Sequence, residues 1–494
     1  MRKAVCGNQM YTKYGESDCI LNEKRDKKVG EKFMRVMGID IGTTTISVIL
    51  LDSETGEIVD SRTISHQAFL KTENMNSRVQ DPEKLYKLAK KAVMDISADY
   101  GKPDSIGFTG QMHGVLYVNG KGRAVSPLYT WQDSRGNEFY QKDCTYVQFL
   151  KKKIGNAAVG YGMTTHFYLH DKGEIADDAV WMTTISDYIA MRFCNKEKPV
   201  LARDMAASWG CFDTHKGDFF KEKLENLGIS TKYLPEVCEG HKIIGNTMIK
   251  GIEGVPVMAS LGDNQASFIG SVQNMQDTVL INIGTGSQVS FGTGFLDIKE
   301  GAIELRPCTA DSCLLVGAGL CGGRAYAMLE NFFNEIIVSA GFEYTESSLY
   351  SIMEKEACKF FQKYGIDDAW KIRTTFSGTR VDPEKKGSIE AISVDNFSMG
   401  AMTVGMLQGI LDELWQMYQE MCRITGRKAI KLVGSGNGLR KNKLMQKMAE
   451  KLFGMKLYIP KCQEEAAYGA ALHSLVSAGL KKSLKDVQYK IQYL

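Results

Sequence analysis

An α/β fold built from two related halves is what this sequence predicts, and three observations lead there. The segment Met37-Gly-Ile-Asp-Ile-Gly-Thr-Thr-Thr-Ile-Ser-Val-Ile-Leu-Leu-Asp52 reads as strand, tight turn, strand. Thr278-Val-Leu-Ile-Asn-Ile-Gly-Thr-Gly-Ser-Gln-Val-Ser-Phe-Gly292 repeats that layout in the second half of the chain. Between and after these hairpins, apolar strands alternate with helically periodic segments, the pattern of α/β proteins. At 494 residues, length alone allows roughly two to four domains.

The first hairpin carries chemistry at its turn. Gly42 has no Cβ, so a ligand can approach the backbone closely. Thr43, Thr44 and Thr45 add hydroxyls and successive N–H groups, a concavity that suits phosphate oxygens. Asp40 lies two residues before the glycine, and a carboxylate beside phosphate makes sense with Mg²⁺ between them. Taken alone, the segment is equally an ordinary edge hairpin with a Thr-rich turn. The second hairpin supplies the context, with Asn282 in the place of Asp40 and Gly284, Thr285, Gly286 and Ser287 at its turn. The pair resembles the two phosphate motifs of the actin, Hsp70 and sugar kinase superfamily. That resemblance implies ATP, with Mg²⁺ on the Asp40 side. No G-x-x-x-x-G-K-[ST] motif is present, so the site is not of the Walker type.

Composition narrows the class of partner. Lys and Arg number 61 against 58 Asp and Glu, which argues against nucleic acid or an anionic membrane as the main partner. No run reaches the roughly 18 apolar residues of a membrane span. Residues 1–34 are polar and charged, without the apolar core of a signal peptide. They read as a flexible extension, or as sequence upstream of a natural start at Met34 or Met37. The 12 cysteines are scattered, with no C-x-x-C or metal-ligand spacing, and read as reduced, cytoplasmic thiols. A homodimer is left open.

In chain order, Asp81 to Ser97 has helical spacing, with Asp81 as N-cap and Pro82 at the first helical position. A buried strand, Ser105 to Thr109, runs into Gly110-Gln-Met-His-Gly114, and polar residues at such a strand end commonly line a crevice. An apolar strand from Ser126 leads to Trp131-Gln132-Asp133, an aromatic face beside hydrogen-bonding groups, as a polyol requires. Val180 to Phe193 reads as an apolar helix-like stretch. Val255 to Gly262 is a strand that delivers Asp263, Asn264 and Gln265 to a helix start. There the helix N–H groups favour an ionised Asp263, which is equally a normal N-cap. Leu315 to Leu329 and Ile430 to Asn442 each read as strand, glycine-rich turn and helix. Met399 to Cys422 is a long helix whose Met-rich stripe is core.

Gly110-Gln-Met-His-Gly114 followed by Trp131-Gln-Asp-Ser-Arg135 resembles the sugar-site motifs of the FGGY carbohydrate kinases, in their ketose branch. The resemblance spans Met37 to Ser477. It implies two ribonuclease H-like, actin-type domains with a cleft between them: a sugar-binding domain over 35–272 and an ATP-binding domain over 273–494. It further implies Gln111, Met112, His113, Trp131, Asp133, Tyr161 and Asn264 at the sugar, and Asp263 as general base. The ATP residues implied are Gly42, Thr43, Thr44, Thr45, Gly284, Thr285, Gly286 and Ser287, with Gly434, Ser435, Gly436 and Asn437 in the adenosine motif. Asp40 is the implied Mg²⁺ residue. Thr374 to Arg380, with Asp382 and Pro383, stands where the family often has Gly-Glu-Arg, and Glu464 to Leu472 resembles its last connecting helix.

The chain also departs from the family. Gly155 to Leu169 lacks the usual lysine and tryptophan, with His166-Phe-Tyr-Leu169 in their place. That segment and Ala206-Ala-Ser-Trp-Gly210 resemble the sedoheptulokinase branch more than xylulokinases. The usual aspartate near Arg203 is displaced, and no role is assigned to Asp204. The expected activity is ATP-dependent phosphorylation of the terminal hydroxyl of a ketose, sedoheptulose first, xylulose or another ketose or polyol second. A non-catalytic sugar or nucleotide sensor on the same fold, and a chaperone or cytoskeletal ATPase, are the expectations of another class.

Overall fold

The computed structural model describes residues 34–494 except 241, 299–300, 343–345, 380–381 and 383. The expected extension, save Met34, lies outside the described residues, as do Arg380 and Pro383. The chain forms two compact units. One takes the chain through Gly270 and adds Glu464–Lys490; the other is Ser271–Gln463 with Ile491–Leu494.

In the first unit, β1 (Arg35–Ile41) and β2 (Thr45–Asp52) form the expected antiparallel hairpin, and β3 (Ile58–Ser65) pairs with β2. Helix α1 (Pro82–Tyr100) begins where expected, because the Asp81 side chain accepts the N–H groups of Glu83 and Lys84 at 2.9 and 3.0 Å. Its Leu85, Ala89, Ala92, Val93 and Ile96 are buried. Strand β4 (Ser105–Gly110) returns parallel to β1. The run from Ser126 holds only a two-residue strand, Leu128–Tyr129. Helix α2 (Gly162–Asp171) is buried along most of its length. Val180 to Phe193 is not one helix: a strand, Trp181–Thr183, precedes α3 (Ile185–Phe193). Thr184 separates them by accepting the Asp187 N–H on its hydroxyl at 3.2 Å.

Short helix α4 (Arg203–Ala207) and strands β5 (Ile243–Asn246), β6 (Pro256–Met258) and β7 (Leu261–Gly262) lead to α5 (Asp263–Ser271). The sheet order is β5-β6-β4-β1-β2-β3, with β7 beside the end of β4.

The second unit repeats the plan. Strands β8 (Thr278–Ile283) and β9 (Ser287–Thr293) are the second hairpin, followed by β10 (Ile303–Pro307), β11 (Cys313–Gly319) and α6 (Gly323–Ser339). Long helix α7 (Met399–Thr425) buries Met406, Ile410, Leu414 and Met417. Then come β12 (Lys431–Ser435), α8 (Asn437–Lys441) and β13 (Leu457–Tyr458). The order is β10-β11-β9-β8-β12-β13. Both units thus share an antiparallel meander, β1-β2-β3 and β8-β9-β11, extended by parallel strands from its first member: β4 and β6, or β12 and β13.

The last long helix, α9 (Glu465–Ser477), belongs to the first unit, whereas the sequence division put it in the second domain. It lies against β1 and β4 with backbone touching backbone. A Cβ on Gly38 would fall 1.9 Å from the Ala467 carbonyl oxygen, and one on Gly107 2.1 Å from that of Ala470. Ser105 and Ser474 share a buried hydrogen bond of 2.8 Å there. Because the obstacles are main-chain atoms, no rotamer change relieves the clash. Gly38→Ala is therefore expected to destabilise the protein by about 2–3 kcal/mol, read as a lower urea midpoint with an unchanged m value.

Candidate active site

Three parallel strands of the first unit end side by side. Asp40 of β1 is level with Thr109 of β4, and Thr109 is level with Leu261 of β7. Each strand then delivers a functional segment: the turn Gly42–Thr45, the run Gln111-Met112-His113, and Asp263. Ligand crevices in α/β sheets form at such carboxyl ends.

Asp40 is half-buried, and its Oδ1 is screened from solvent with no hydrogen-bond partner among the described residues. Burial, then the neighbouring Asp263 and Glu464 carboxylates, push its pKa up to about 8. Asp263 opens α5, and its Oδ1 accepts the Asn264 N–H at 2.7 Å. Two buried carboxylates hold the chain just before it. Asp204 Oδ2 accepts the Gly262 N–H at 2.8 Å, and Asp187 Oδ1 accepts the Ser260 N–H at 3.0 Å. Burial raises Asp187 to about 6. Sequence reasoning missed both residues as supports of Asp263. The one available signal was a carboxylate set in an apolar stretch, at each of the two places.

The turn after β1 is braced from behind through its carbonyls. The Gly42 oxygen accepts from His66 Nε2–H at 3.3 Å and, more weakly, from Gln111 Nε2 at 3.5 Å. The Thr43 oxygen accepts from Gln80 Nε2–H at 2.8 Å, and the Thr44 oxygen from the His66 N–H at 3.1 Å. His66 Nδ1 accepts the Ala68 N–H at 3.1 Å, so these partners require the neutral ring with its proton on Nε2. Burial keeps that ring below the usual histidine range. Among the described residues, neither Thr43 nor Thr44 donates its N–H to a backbone carbonyl. Donors of this kind are what an anion would take up.

The expected sugar residues separate into those that line this region and those that support it. Gln111 is buried, and its Oε1 has no hydrogen-bond partner among the described residues. His113 stands at φ 73°, held by its own N–H to Ser208 Oγ at 3.1 Å and by Nδ1–H to the Ser208 oxygen at 2.6 Å. Its ring stacks on Tyr161 with centroids 4.4 Å apart and planes 3° from parallel. Trp131 is 46% exposed, and its Nε1–H reaches Thr43 Oγ1 at 3.0 Å. Asn264 lies in the first turn of α5, next to Asp263.

Two of the expected residues are engaged within the protein. Met112 is part of an apolar cluster, with its sulfur against Gly262. Asp133 is 0% exposed, and its carboxylate is taken by Arg135 (Nε at 2.7 Å, Nη2 at 3.1 Å) and by the N–H groups of Arg78 and Arg135. With four donors on two oxygens, it positions its own loop and offers a sugar nothing. His166, in the segment without the lysine and tryptophan, is structural. It is buried between Tyr117 Oη at 2.7 Å and the Ser230 oxygen at 2.8 Å, and burial lowers its pKa to about 4.

In the second unit the turn after β8 is braced differently. The N–H groups of Gly323 and Arg324, at the start of α6, donate to the Gly284 and Thr285 oxygens at 2.8 and 2.9 Å. This close approach needs Gly322 and Gly323, where a Cβ would meet the turn's backbone at 2.5 and 2.3 Å. Asn282 is level with Ser435 of β12, after which Gly436 turns at φ +83°. The hydroxyls of Ser287 and Ser435 are buried without a partner among the described residues. The expected residues Thr285 and Gly286 are exposed at the tip, and Gly434 and Asn437 flank the second turn. Asn282 carries no charge where Asp40 does. Among the described residues, no group of three or more His, Cys, Asp or Glu side chains is arranged to hold a metal.

Comparison with known proteins agrees with this architecture. The model of the FGGY family of carbohydrate kinases, N-terminal domain, matches residues 35–270, and that of the C-terminal domain matches residues 308–478. Sedoheptulokinase of Mus musculus is 28% identical over 471 residues, covering 88% of this chain and 96% of that protein. Xylulose kinase of Escherichia coli (strain K12) is 27% identical over 288 residues, covering 54% and 56%. The crystal structure of ligand-bound xylulose kinase from Lactobacillus acidophilus superposes with a TM-score of 0.79 at 19% identity, covering 93% of each chain. The fold is thus that of two ribonuclease H-like, actin-type domains.

The raised Asp40 pKa has a consequence for stability. A carboxyl whose pKa is higher folded than unfolded holds its proton more tightly in the folded state. Stability is therefore lost as pH rises from the ordinary carboxylate range through about 8. The ligand-free Asp40→Asn variant is expected to melt above the unaltered protein near about pH 8.5, with the gap closing toward about pH 4. Calorimetric Tm values across that range check this; a variant melting lower throughout contradicts it.

Proposed function

Since the chain belongs to the FGGY family of carbohydrate kinases, phosphotransferases with an alcohol acceptor, we propose that it phosphorylates a ketose from ATP, with sedoheptulose as substrate and sedoheptulose 7-phosphate as product. The carrying observation is that Asp40 and Asp263 stand at the carboxyl ends of the two strands that flank β4, in one unit. A kinase needs a base for the acceptor hydroxyl close to the charge of the transferring phosphoryl group, and most of its catalysis is positioning and electrostatics.

On this reading Asp263 accepts the proton of the sugar's terminal hydroxyl. Asp204 and Asp187 fix the peptide that leads into it. Gln111 Oε1, the stacked His113–Tyr161 pair and Asn264 orient the sugar. In the first unit, Gly42, Thr43, Thr44 and Thr45 are assigned to nucleotide phosphate. In the second, Gly284, Thr285, Gly286 and Ser287, with Gly434, Ser435, Gly436 and Asn437, are assigned to the nucleotide. Asp40 would hold Mg²⁺, which supplies neutralisation of the phosphate oxygens when bound. The unpartnered Oδ1 fits that role, and Mg²⁺ typically takes only one or two carboxylates beside phosphate and water. Burial and then charge repulsion raise Asp40, and the repulsion is of the kind a cation relieves.

Sedoheptulose is preferred because the sedoheptulokinase is 28% identical along 88% of this chain, whereas a xylulose kinase matched along 92% of it is 22% identical. A cytoplasmic location belongs to the same proposal, supported by the free thiols among the described residues. A sensor without catalysis would have no use for the supported Asp263.

Two measurements test the reading. ADP release from ATP–Mg²⁺ with sedoheptulose, xylulose, ribulose, fructose, glycerol or no sugar is expected to give sedoheptulose the highest kcat/KM. A higher value for xylulose moves the substrate and leaves the kinase intact. Asp263→Asn is expected to lower kcat by about 10²–10⁴-fold while sugar affinity stays within a few-fold. Unchanged turnover would remove the base assignment.

A further inference from the structure

Thr43 joins the expected phosphate turn to the expected sugar residues. Gln80, buried and absent from the site as read from sequence, donates from Nε2–H to the Thr43 oxygen at 2.8 Å. Its Oε1 accepts Gln111 Nε2–H at 2.9 Å. These contacts leave one orientation for both amides. A flipped Gln80 would set oxygen against the Thr43 carbonyl, and a flipped Gln111 would set oxygen against Gln80 Oε1. Gln111 Oε1 is therefore the acceptor at the end of the chain, and it is the atom that has no partner among the described residues. Trp131 adds a second link through its Nε1–H to Thr43 Oγ1.

Every bond in this chain runs the same way. A hydroxyl donating to Gln111 Oε1 would make the Gln111 amide a better donor to Gln80, and Gln80 a better donor to the Thr43 carbonyl. That carbonyl shares its peptide group with the Thr44 N–H, which donates to no backbone carbonyl among the described residues. Polarising the carbonyl strengthens the N–H toward an anion. Resting on the kinase reading above, we propose that Gln80 couples the two ligands within this unit: a sugar on Gln111 tightens nucleotide phosphate on the Gly42–Thr45 turn, and the nucleotide tightens the sugar equally. Gln80 is then a positioning residue, acting through Thr43 and Gln111.

The test is calorimetric binding of a non-hydrolysable ATP analogue with Mg²⁺, with and without saturating sedoheptulose. In the unaltered protein the sugar is expected to tighten the analogue about tenfold, within the usual range for linked sites. In Gln80→Met the ratio is expected to fall to about twofold or less, and the effect of the analogue on sugar affinity to fall by the same factor. Should that variant not fold, Gln80→Leu, which likewise removes the donor to Thr43 and the acceptor for Gln111, takes its place, and the same loss is expected. Full coupling in the folded variant, or none in the unaltered protein that binds both ligands, overturns the inference alone. Failure of the unaltered protein to bind either ligand sinks the kinase reading and this inference with it.

Discussion

A carboxyl group held away from water, with two other carboxylates near it, is the constraint on which the first unit turns. Asp40, Asp263 and Glu464 come from a strand end, a helix start and the residue before α9. No local preference of the chain gathers carboxylates, and burial first, then their repulsion, opposes it. They are brought together by the parallel register of β1, β4 and β7 and by the glycines that let α9 lie on that sheet. The scaffold carries the electrostatic cost through backbone packing that no surface residue can undo. Strain of this kind commonly marks a site that is completed by a ligand.

The two phosphate turns show how one layout is stabilised by different means. In the second unit the turn carbonyls meet N–H groups at the start of α6, so a helix terminus both satisfies them and is satisfied. In the first unit the same task falls to the His66, Gln80 and Gln111 side chains. Main-chain bracing constrains the sequence only to small residues, seen in Gly322 and Gly323. Side-chain bracing demands particular donors, and these bring the turn into contact with whatever else the same side chains touch.

This difference also decides what could be read from sequence. The hairpins, α1 with its Asp81 cap and the core face of α7 were legible because periodicity and capping are local signals. The places of Asp40, two residues before Gly42, and Asp263, directly after Gly262, at the ends of strands were legible in the same way. Asp204, Asp187, Gln80 and His66 were not legible, because each acts on a peptide group far away in the chain. The partners of Asp133 and Met112 within the protein were hidden for the converse reason. Residues two or three positions apart in a loop can face opposite ways, and only the packed structure shows that Arg135 has already claimed one and the apolar core the other. The return of α9 to the first unit was likewise hidden, since small helical residues advertise close packing without naming its partner.

That return bears on how the protein is made. The bond between Thr63 and Glu464 spans 401 positions of sequence, and the one between Ser105 and Ser474 spans 369. The sheet of the first unit leaves a ribosome early, yet the helix that covers β1 and β4 emerges only near the end. At about 5–20 residues per second, the bare glycine-lined face would stay uncovered for tens of seconds. A nascent chain of this design needs its exposed face shielded during that interval, and completes its first unit only once the second has been synthesised.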